Sequence, residues 1–140
     1  MKKIILLFAV IISISMISCQ TDDDAGPADT QDKFIGNWKI TQEFEDGVEV
    51  AVEVCDLQDV LTVTDDQKFS GTSHIMENGA CKLEDTLTGT WENLGDNKYK
   101  ITPELDGAEA IEATITFSGN TMTIDTTDEE GDFKQILTRI

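Results

Sequence analysis

Residues 111–124, which read IEATITFSGNTMTI, carry the pattern that decides the fold of this chain. Apolar residues at positions 111, 113, 115 and 117 alternate with Glu or Thr, and Met122 and Ile124 resume the alternation after Ser118-Gly119-Asn120. A period of two is typical of a β-strand with one buried face, and a short Ser-Gly-Asn segment favours a tight turn. The stretch therefore predicts two antiparallel strands joined by a hairpin.

The same alternation recurs from Phe34 to the end of the sequence, most clearly at Trp38/Ile40, Leu61/Val63 and Leu83/Leu87/Trp91. Turn signals separate the alternating runs at Asp46-Gly47, Asp65-Asp66-Gln67, Asn78-Gly79, Gly95-Asp96-Asn97, Asp106-Gly107, Ser118-Gly119-Asn120 and Glu129-Glu130-Gly131. Turns of this number between successive runs predict about eight antiparallel strands. Val48–Leu57 allows two interpretations, a second strand that ends near Cys55 or a strand followed by an irregular crossover.

Short strands with one apolar face must bury that face and also protect their edges. An up-and-down antiparallel barrel does both, and a two-sheet sandwich is the main alternative. Because each connection after Leu57 has the length of a hairpin, the sequence favours an all-β barrel over residues 33–140.

The N-terminus has the composition of an export signal. Lys2 and Lys3 precede the apolar run Ile4–Ile17, which is shorter than the roughly 20 residues of a spanning helix. Met16-Ile17-Ser18-Cys19 resembles a bacterial lipobox, in which the Cys is acylated, for example with palmitate, and becomes the new N-terminus. We expect residues 1–18 to be a lipoprotein signal peptide and Cys19 to be lipidated. The alternative is an ordinary secretory signal followed by a coincidental Cys.

Residues 19–32 are expected to form an acidic, flexible tether between the lipid and the barrel. The segment holds no aromatic residue and no aliphatic residue larger than Ala, so it has little apolar area to bury. Asp22-Asp23-Asp24 resembles the acidic export signal of surface-exposed lipoproteins in some Gram-negative bacteria, and a merely soluble linker is the alternative. The resemblance implies a lipoprotein of the bacterial outer membrane, anchored to it and exposed on the surface.

The formal net charge of −18 excludes the partners that require basic patches. Nucleic acids and anionic lipid surfaces both bind through clustered Lys and Arg. The charge suits attraction to cations or to basic proteins, and simple solubility is the competing explanation.

Cys55 and Cys81 remain once Cys19 is assigned to the anchor. In an exported protein a disulfide between them is the default, and on the chain-entropy model it contributes about 3–4 kcal/mol. Zinc is a poor alternative because His74 is the single His and no Cys-x-x-Cys spacing occurs.

The segment Phe34-Ile35-Gly36-Asn37-Trp38-Lys39-Ile40 resembles the start of the first barrel strand of lipocalins. In that family a Gly-x-Trp motif closes one end of the barrel, and a basic residue of the last strand stacks over the Trp. The resemblance implies these roles for Gly36, Trp38 and Arg139. Gly89-Thr90-Trp91 together with Cys55 and Cys81 is similar to the short lipocalin-like domains of bacterial lipoproteins.

A lipocalin-like barrel implies a small apolar ligand in the interior. Candidate ligand-lining residues, each of which could instead be core, are Phe69, Leu87, Trp91, Tyr99, Ile115, Phe117, Met122 and Phe133. The sequence shows no catalytic constellation and no phosphate-binding Gly-rich loop. The acidic segment Asp125–Asp132 does not fit a calcium loop either. With Gly131 at the glycine position of an EF-hand-type loop, Thr126 and Leu137 fall at the first and last ligand positions, and neither suits calcium. We therefore expect a protein that is not an enzyme and uses neither cofactor nor metal.

The sequence favours a lipid-anchored, non-catalytic binding module that carries or senses a small apolar ligand. The alternative is an acidic surface protein that binds or inhibits a basic protein, as small barrel inhibitors of lysozyme do.

Overall fold

The computed structural model describes residues 31–127 and 131–140. The expected signal peptide, Cys19 and residues 20–30 of the expected tether lie outside the described residues. Residues Gln31–Ile140 form one compact unit. Its strands are β1 (Gly36–Glu45), β2 (Val48–Val50), β3 (Leu61–Val63), β4 (Lys68–Glu77), β5 (Ala80–Gly95), β6 (Lys98–Pro103), β7 (Ile111–Ser118), β8 (Thr121–Thr127) and β9 (Asp132–Arg139). A single 3₁₀ turn, Asp56–Gln58, interrupts the segment between β2 and β3.

The sheet closes on itself, which confirms the predicted barrel and excludes the sandwich. Neighbouring strands follow the order β1-β3-β4-β5-β6-β7-β8-β9, and β9 pairs back onto β1 from Trp38↔Arg139 to Glu45↔Phe133. All of these pairings are antiparallel. Closure gives each of these eight strands two neighbours and so removes the open edges of the barrel that would invite aggregation.

The ambiguous segment Val48–Leu57 is a short strand followed by an irregular crossover. β1 is longer than either partner on that side, so its first residues pair with β3 (Gly36↔Val63) and its last residues pair with β2 (Glu43↔Val50). β2 is therefore an addition to the eight-stranded barrel. Residues 51–60 then cross the mouth of the barrel between β2 and β3.

The hairpin turns follow from their residues. Asp46 and Gly47 have φ angles of 49° and 78°, and Asn78 and Gly79 have φ angles of 53° and 82°. Two successive positive φ angles define the turns that match the right-handed twist of paired strands, and Asp-Gly and Asn-Gly adopt them at low cost. These turns, at the ends of β1 and β4, lie at the open end of the barrel.

Candidate functional site

Aromatic side chains fill the opposite, closed end of the barrel. Phe34, which precedes β1, contacts Trp91 with 5.4 Å and Tyr99 with 5.2 Å between ring centroids. Phe117 joins this group at 6.0 Å from Trp38 and 6.4 Å from Tyr99. We call these five residues, Phe34, Trp38, Trp91, Tyr99 and Phe117, the aromatic plug. The plug occupies space that a deeper ligand pocket would need.

Trp38 is the innermost member of the plug, with none of its surface exposed. Its indole nitrogen donates a hydrogen bond of 2.9 Å to the carbonyl of Phe34. Arg139 covers the outer face, with its guanidinium carbon 4.3 Å from the centroid of the Trp38 ring. The same guanidinium donates to the carbonyls of Ile35 at 2.8 Å and Lys33 at 2.7 Å. Arg139 therefore fastens the chain before β1 across the end of the barrel.

Gly36 and Gly89 allow close approaches between neighbouring groups of the barrel, at Gly36 beside the plug and at Gly89 beside Phe69. Gly36 has a φ angle of 148°, and a Cβ there would collide with the Arg139 guanidinium. At Gly89 a Cβ would collide with the Thr102 carbonyl and would lie 2.5 Å from the Phe69 ring. Any other residue at either position requires its neighbours to move.

Asp32 is a member of the closed end that sequence reasoning assigned to the tether. Its carboxylate accepts hydrogen bonds from the Tyr99 hydroxyl at 2.9 Å and from the Asn93 amide at 2.6 Å. Burial, followed by the hydrogen bond and charge of Asp32, raises the pKa of Tyr99 well above its usual value. A single Asp in an acidic segment carries no periodic signal, so its role was not predictable from sequence.

A cavity of about 380 Å³ lies on the open side of the plug. Its walls come from β1, β3, β4, β5, β8, β9 and the crossover. The apolar lining residues are Trp38, Ile40, Val60, Leu61, Leu87, Ile124 and Leu137, and the others are Glu43, Asp56, Asp59, Gly71, Thr72 and Gln135. Of the eight candidates predicted from sequence, Leu87 is the one among these lining residues.

Gly71 contributes directly to the room inside the cavity. It pairs with Leu61 on β3 and with Leu87 on β5, in the middle of the apolar lining. A Cβ built at Gly71 would meet no heavy atom within 4 Å, and its φ is not in the positive region. A larger residue at position 71 would therefore fill the cavity without backbone strain.

Most of the predicted ligand-lining residues belong to the packed core instead. Phe69, Trp91, Tyr99, Ile115 and Met122 are buried in it, and Phe117 packs against it. The sequence left core and pocket open for these residues, and they pack together because Phe34 and the chain before β1 fold over the barrel end and fill it with side chains. Phe133 differs from them, since it lies at the open end of β9 and is 37% exposed.

The predicted disulfide is confirmed and fixes the crossover at the mouth of the cavity. Cys55 and Cys81 are bonded, with 5.3 Å between their Cα atoms. The bond ties the residue before the 3₁₀ turn to the start of β5. Asp56 and Asp59, which flank the cavity, are thereby held against the barrel.

Three carboxylates, those of Glu43, Asp56 and Asp59, stand at the cavity mouth and are named here the acidic rim. Glu43 accepts a hydrogen bond of 2.9 Å from the Gln135 amide, and Asp59 lies 2.6 Å from Nδ1 of His74. Burial, followed by the charges of Asp59, Glu53 and Glu43, raises the pKa of Asp56. Sequence reasoning missed the rim because the crossover that supplies two of its members has no periodicity.

Within the described ranges, no helix is long and apolar enough to cross a membrane. The same residues contain no group of three or more His, Cys, Asp or Glu side chains arranged to hold a metal ion.

The chain also matches a known protein family. The sequence model of a lipocalin-like domain matches residues 34–134, from the first member of the aromatic plug into β9. Among curated proteins, none matches the chain significantly.

Proposed function

The chain belongs to the lipocalin-like domain family, and on that premise we propose that it is a lipid-anchored, non-catalytic module that carries or senses a small apolar ligand. The cavity beside Trp38 is the observation that carries the proposal. At about 380 Å³ it falls in the size range of small-molecule sites, roughly 300–1,000 Å³. An apolar lining with a few polar groups at one side is also the usual composition of such sites.

A neutral, environment-sensitive dye such as N-phenyl-1-naphthylamine tests whether the cavity binds apolar molecules. We expect a saturable rise in fluorescence with one site per chain. Gly71→Leu should abolish the rise, because the new side chain occupies the cavity. Thr116→Leu, which adds a similar group to the exposed face of β7, is the matched control and should bind like the wild type. Equal binding by both variants would place the dye elsewhere and reject the proposal.

Lipid anchoring through Cys19 is the second part of the proposed function. It is supported by the lipobox-like sequence Met16-Ile17-Ser18-Cys19 after an apolar run, and Asp22-Asp23-Asp24 supports display on the outer-membrane surface. Cys19→Ala should move the protein from the membrane fraction to the soluble fraction of a Gram-negative host. Membrane association that survives Cys19→Ala would refute the anchor.

A non-catalytic role is supported by the state of the reactive side chains. Cys55 and Cys81 are bonded to each other, so neither thiol is a free nucleophile. His74 contacts Asp59, which gives two of the three groups of a hydrolytic triad. Such a pair also needs a nucleophile, and the bonded Cys55 and Cys81 cannot supply it.

Binding of a basic protein is the second candidate, and the net charge of −18 is the observation that favours it. Such a charge steers a basic partner, for example a lysozyme, toward the surface. Inhibition of lysozyme at a one-to-one ratio that persists in physiological salt would support this candidate. Weak binding that disappears with salt would indicate only non-specific attraction.

A further inference from the structure

The cavity has two chemically different parts. Its floor is apolar and is formed by Trp38 together with side chains such as Leu61, Leu87 and Leu137. Its mouth carries the acidic rim of Glu43, Asp56 and Asp59. The apolar floor alone indicates that part of the ligand is apolar. The acidic rim therefore gives separate information about the part of the ligand that lies at the mouth.

The rim is negative and has little positive charge to balance it. None of the lining residues in the described chain is Lys, Arg or His. His74 balances Asp59 only when it is protonated. Two lysines at the same end of the barrel are already paired, Lys82 with Glu77 at 2.7 Å and Lys134 with Asp125 at 3.4 Å.

Asp56 indicates that the acidic rim is electrostatically unfavourable in the ligand-free protein. Its carboxylate is partly buried beside the other rim carboxylates, and both effects disfavour its ionised form. A cation at the mouth would relieve that repulsion. A ligand carboxylate or phosphate at the mouth would add to it.

We propose that the ligand of this cavity is an amphipathic cation, with an apolar body against Trp38 and Leu87 and an amine-type group at the acidic rim. This inference rests on the proposed function, since it names the class of ligand for the same cavity. The amine donates hydrogen bonds to Asp56 and Glu43, and the rim sets the preference for charge while the floor supplies the apolar contact.

Three unbranched ligands of eight carbons each separate charge from apolar binding: octylamine, 1-octanol and octanoate. The amine is protonated at neutral pH, as a lysine side chain is. In calorimetric titrations at low salt, we expect octylamine to bind most tightly, octanol less tightly and octanoate least. Added salt should weaken octylamine binding and leave octanol binding unchanged.

Substitutions in the acidic rim test whether its carboxylates cause the preference for octylamine over octanol. Asp56→Asn and Glu43→Gln should each lower octylamine affinity about fivefold without changing octanol affinity. Octanol binding also reports that each variant is folded with its cavity intact. Glu112→Gln, which removes an exposed carboxylate of β7, is the matched control and should change neither affinity. Gly71→Leu should abolish octylamine binding, which distinguishes the cavity from adsorption to the acidic surface.

The outcomes separate the two levels of the proposal. Octanol binding with equal affinity for octylamine would overturn the cationic ligand and leave the apolar binding function standing. An octylamine preference that survives the double variant Asp56→Asn/Glu43→Gln would also overturn it. Failure of all three ligands to bind would overturn both the inference and the proposed function.

Discussion

Arg139 lies over Trp38, with its guanidinium carbon 4.3 Å from the ring centroid, and the two residues are directly paired across β1 and β9. The contact therefore joins the first and last strands of the barrel at the position where the sheet closes. Because the same guanidinium also binds the carbonyls of Lys33 and Ile35, it couples barrel closure to the placement of Phe34 in the aromatic plug.

Removal of Trp38 should be among the most damaging single changes in the core. Trp38→Ala leaves a large cavity beside the other plug residues and should lower the free energy of unfolding by about 3–5 kcal/mol. Arg139→Ala should cost less, about 1–2 kcal/mol for the cation–π contact. Denaturant titration of the double variant should show that the Arg139 effect largely disappears once Trp38 is gone. Additive effects of the two changes would show that the contact contributes little.

The disulfide should account for a large share of the stability of this small barrel. Cys55 and Cys81 are separated by 26 residues, and Cys55→Ser or Cys81→Ser should each cost about 2–4 kcal/mol. The double variant should cost no more than either single variant, because both remove the same bond. Reducing agent should destabilise the wild type in the same denaturant titration and leave the variants unchanged. Two titratable thiols in the unreduced native protein would contradict the bond.

Two glycines of adjacent strands should respond to the same substitution with opposite signs. Gly71→Ala adds a methyl group to the cavity and should raise the free energy of unfolding by about 0.4–1 kcal/mol, since it restricts the unfolded chain. Gly89→Ala forces a Cβ against Thr102 and Phe69 and should lower the free energy of unfolding by about 1–3 kcal/mol. Each variant is the control for the other in thermal or denaturant unfolding. Equal changes would contradict the difference in space that the two positions show.

Tyr99 should remain protonated at pH values that ionise an ordinary tyrosine. It is the one tyrosine of the chain, so ultraviolet absorbance follows its phenol without overlap from another. Burial and Asp32 raise its pKa in the folded protein, whereas the unfolded chain ionises near the ordinary value of about 10. The contribution of Tyr99 to the free energy of unfolding is therefore fully present below pH about 10 and decreases as the pH rises above it.

Asp32→Asn is the control for this titration, because it removes the charge and keeps an acceptor for the Tyr99 hydroxyl. The variant should lower the pKa of Tyr99 part of the way, since burial remains the largest cause. Ionisation of wild-type Tyr99 near its ordinary value would show that the hydroxyl is open to solvent.

The barrel was predictable because it depends on a local pattern, and its closing contact was expected because the resemblance to lipocalins implied it. An inward-facing position must be apolar, so alternation marks the strands, and the phase that buries Leu137 also directs Arg139 toward Trp38. The pairing of Cys55 with Cys81 was predictable because a disulfide is the default between two cysteines in a chain that is expected to be exported.

The cavity was not predictable, since every inward-facing residue has the same pattern whether it packs against a neighbour or faces open space. Tyr99 and Leu87 look alike in sequence, yet Tyr99 is buried in the plug and Leu87 lines the cavity. The difference depends on Phe34, which folds over the barrel end from outside the strands. Asp56 and Asp59 come from the irregular crossover, whose path is set by Cys55–Cys81 and by the pairing of β1 with both β2 and β3.

Nuclear magnetic resonance mapping of 1-octanol binding is the most direct test of the claim that the cavity beside Trp38 is a ligand site. Backbone amide shifts should change in a saturable way around Leu61, Gly71 and Leu87, and the Trp38 indole signal should change with them. The outer surface around Thr116 should be unaffected. Absence of saturable shifts, or shifts confined to the outer face, would contradict ligand binding inside the barrel.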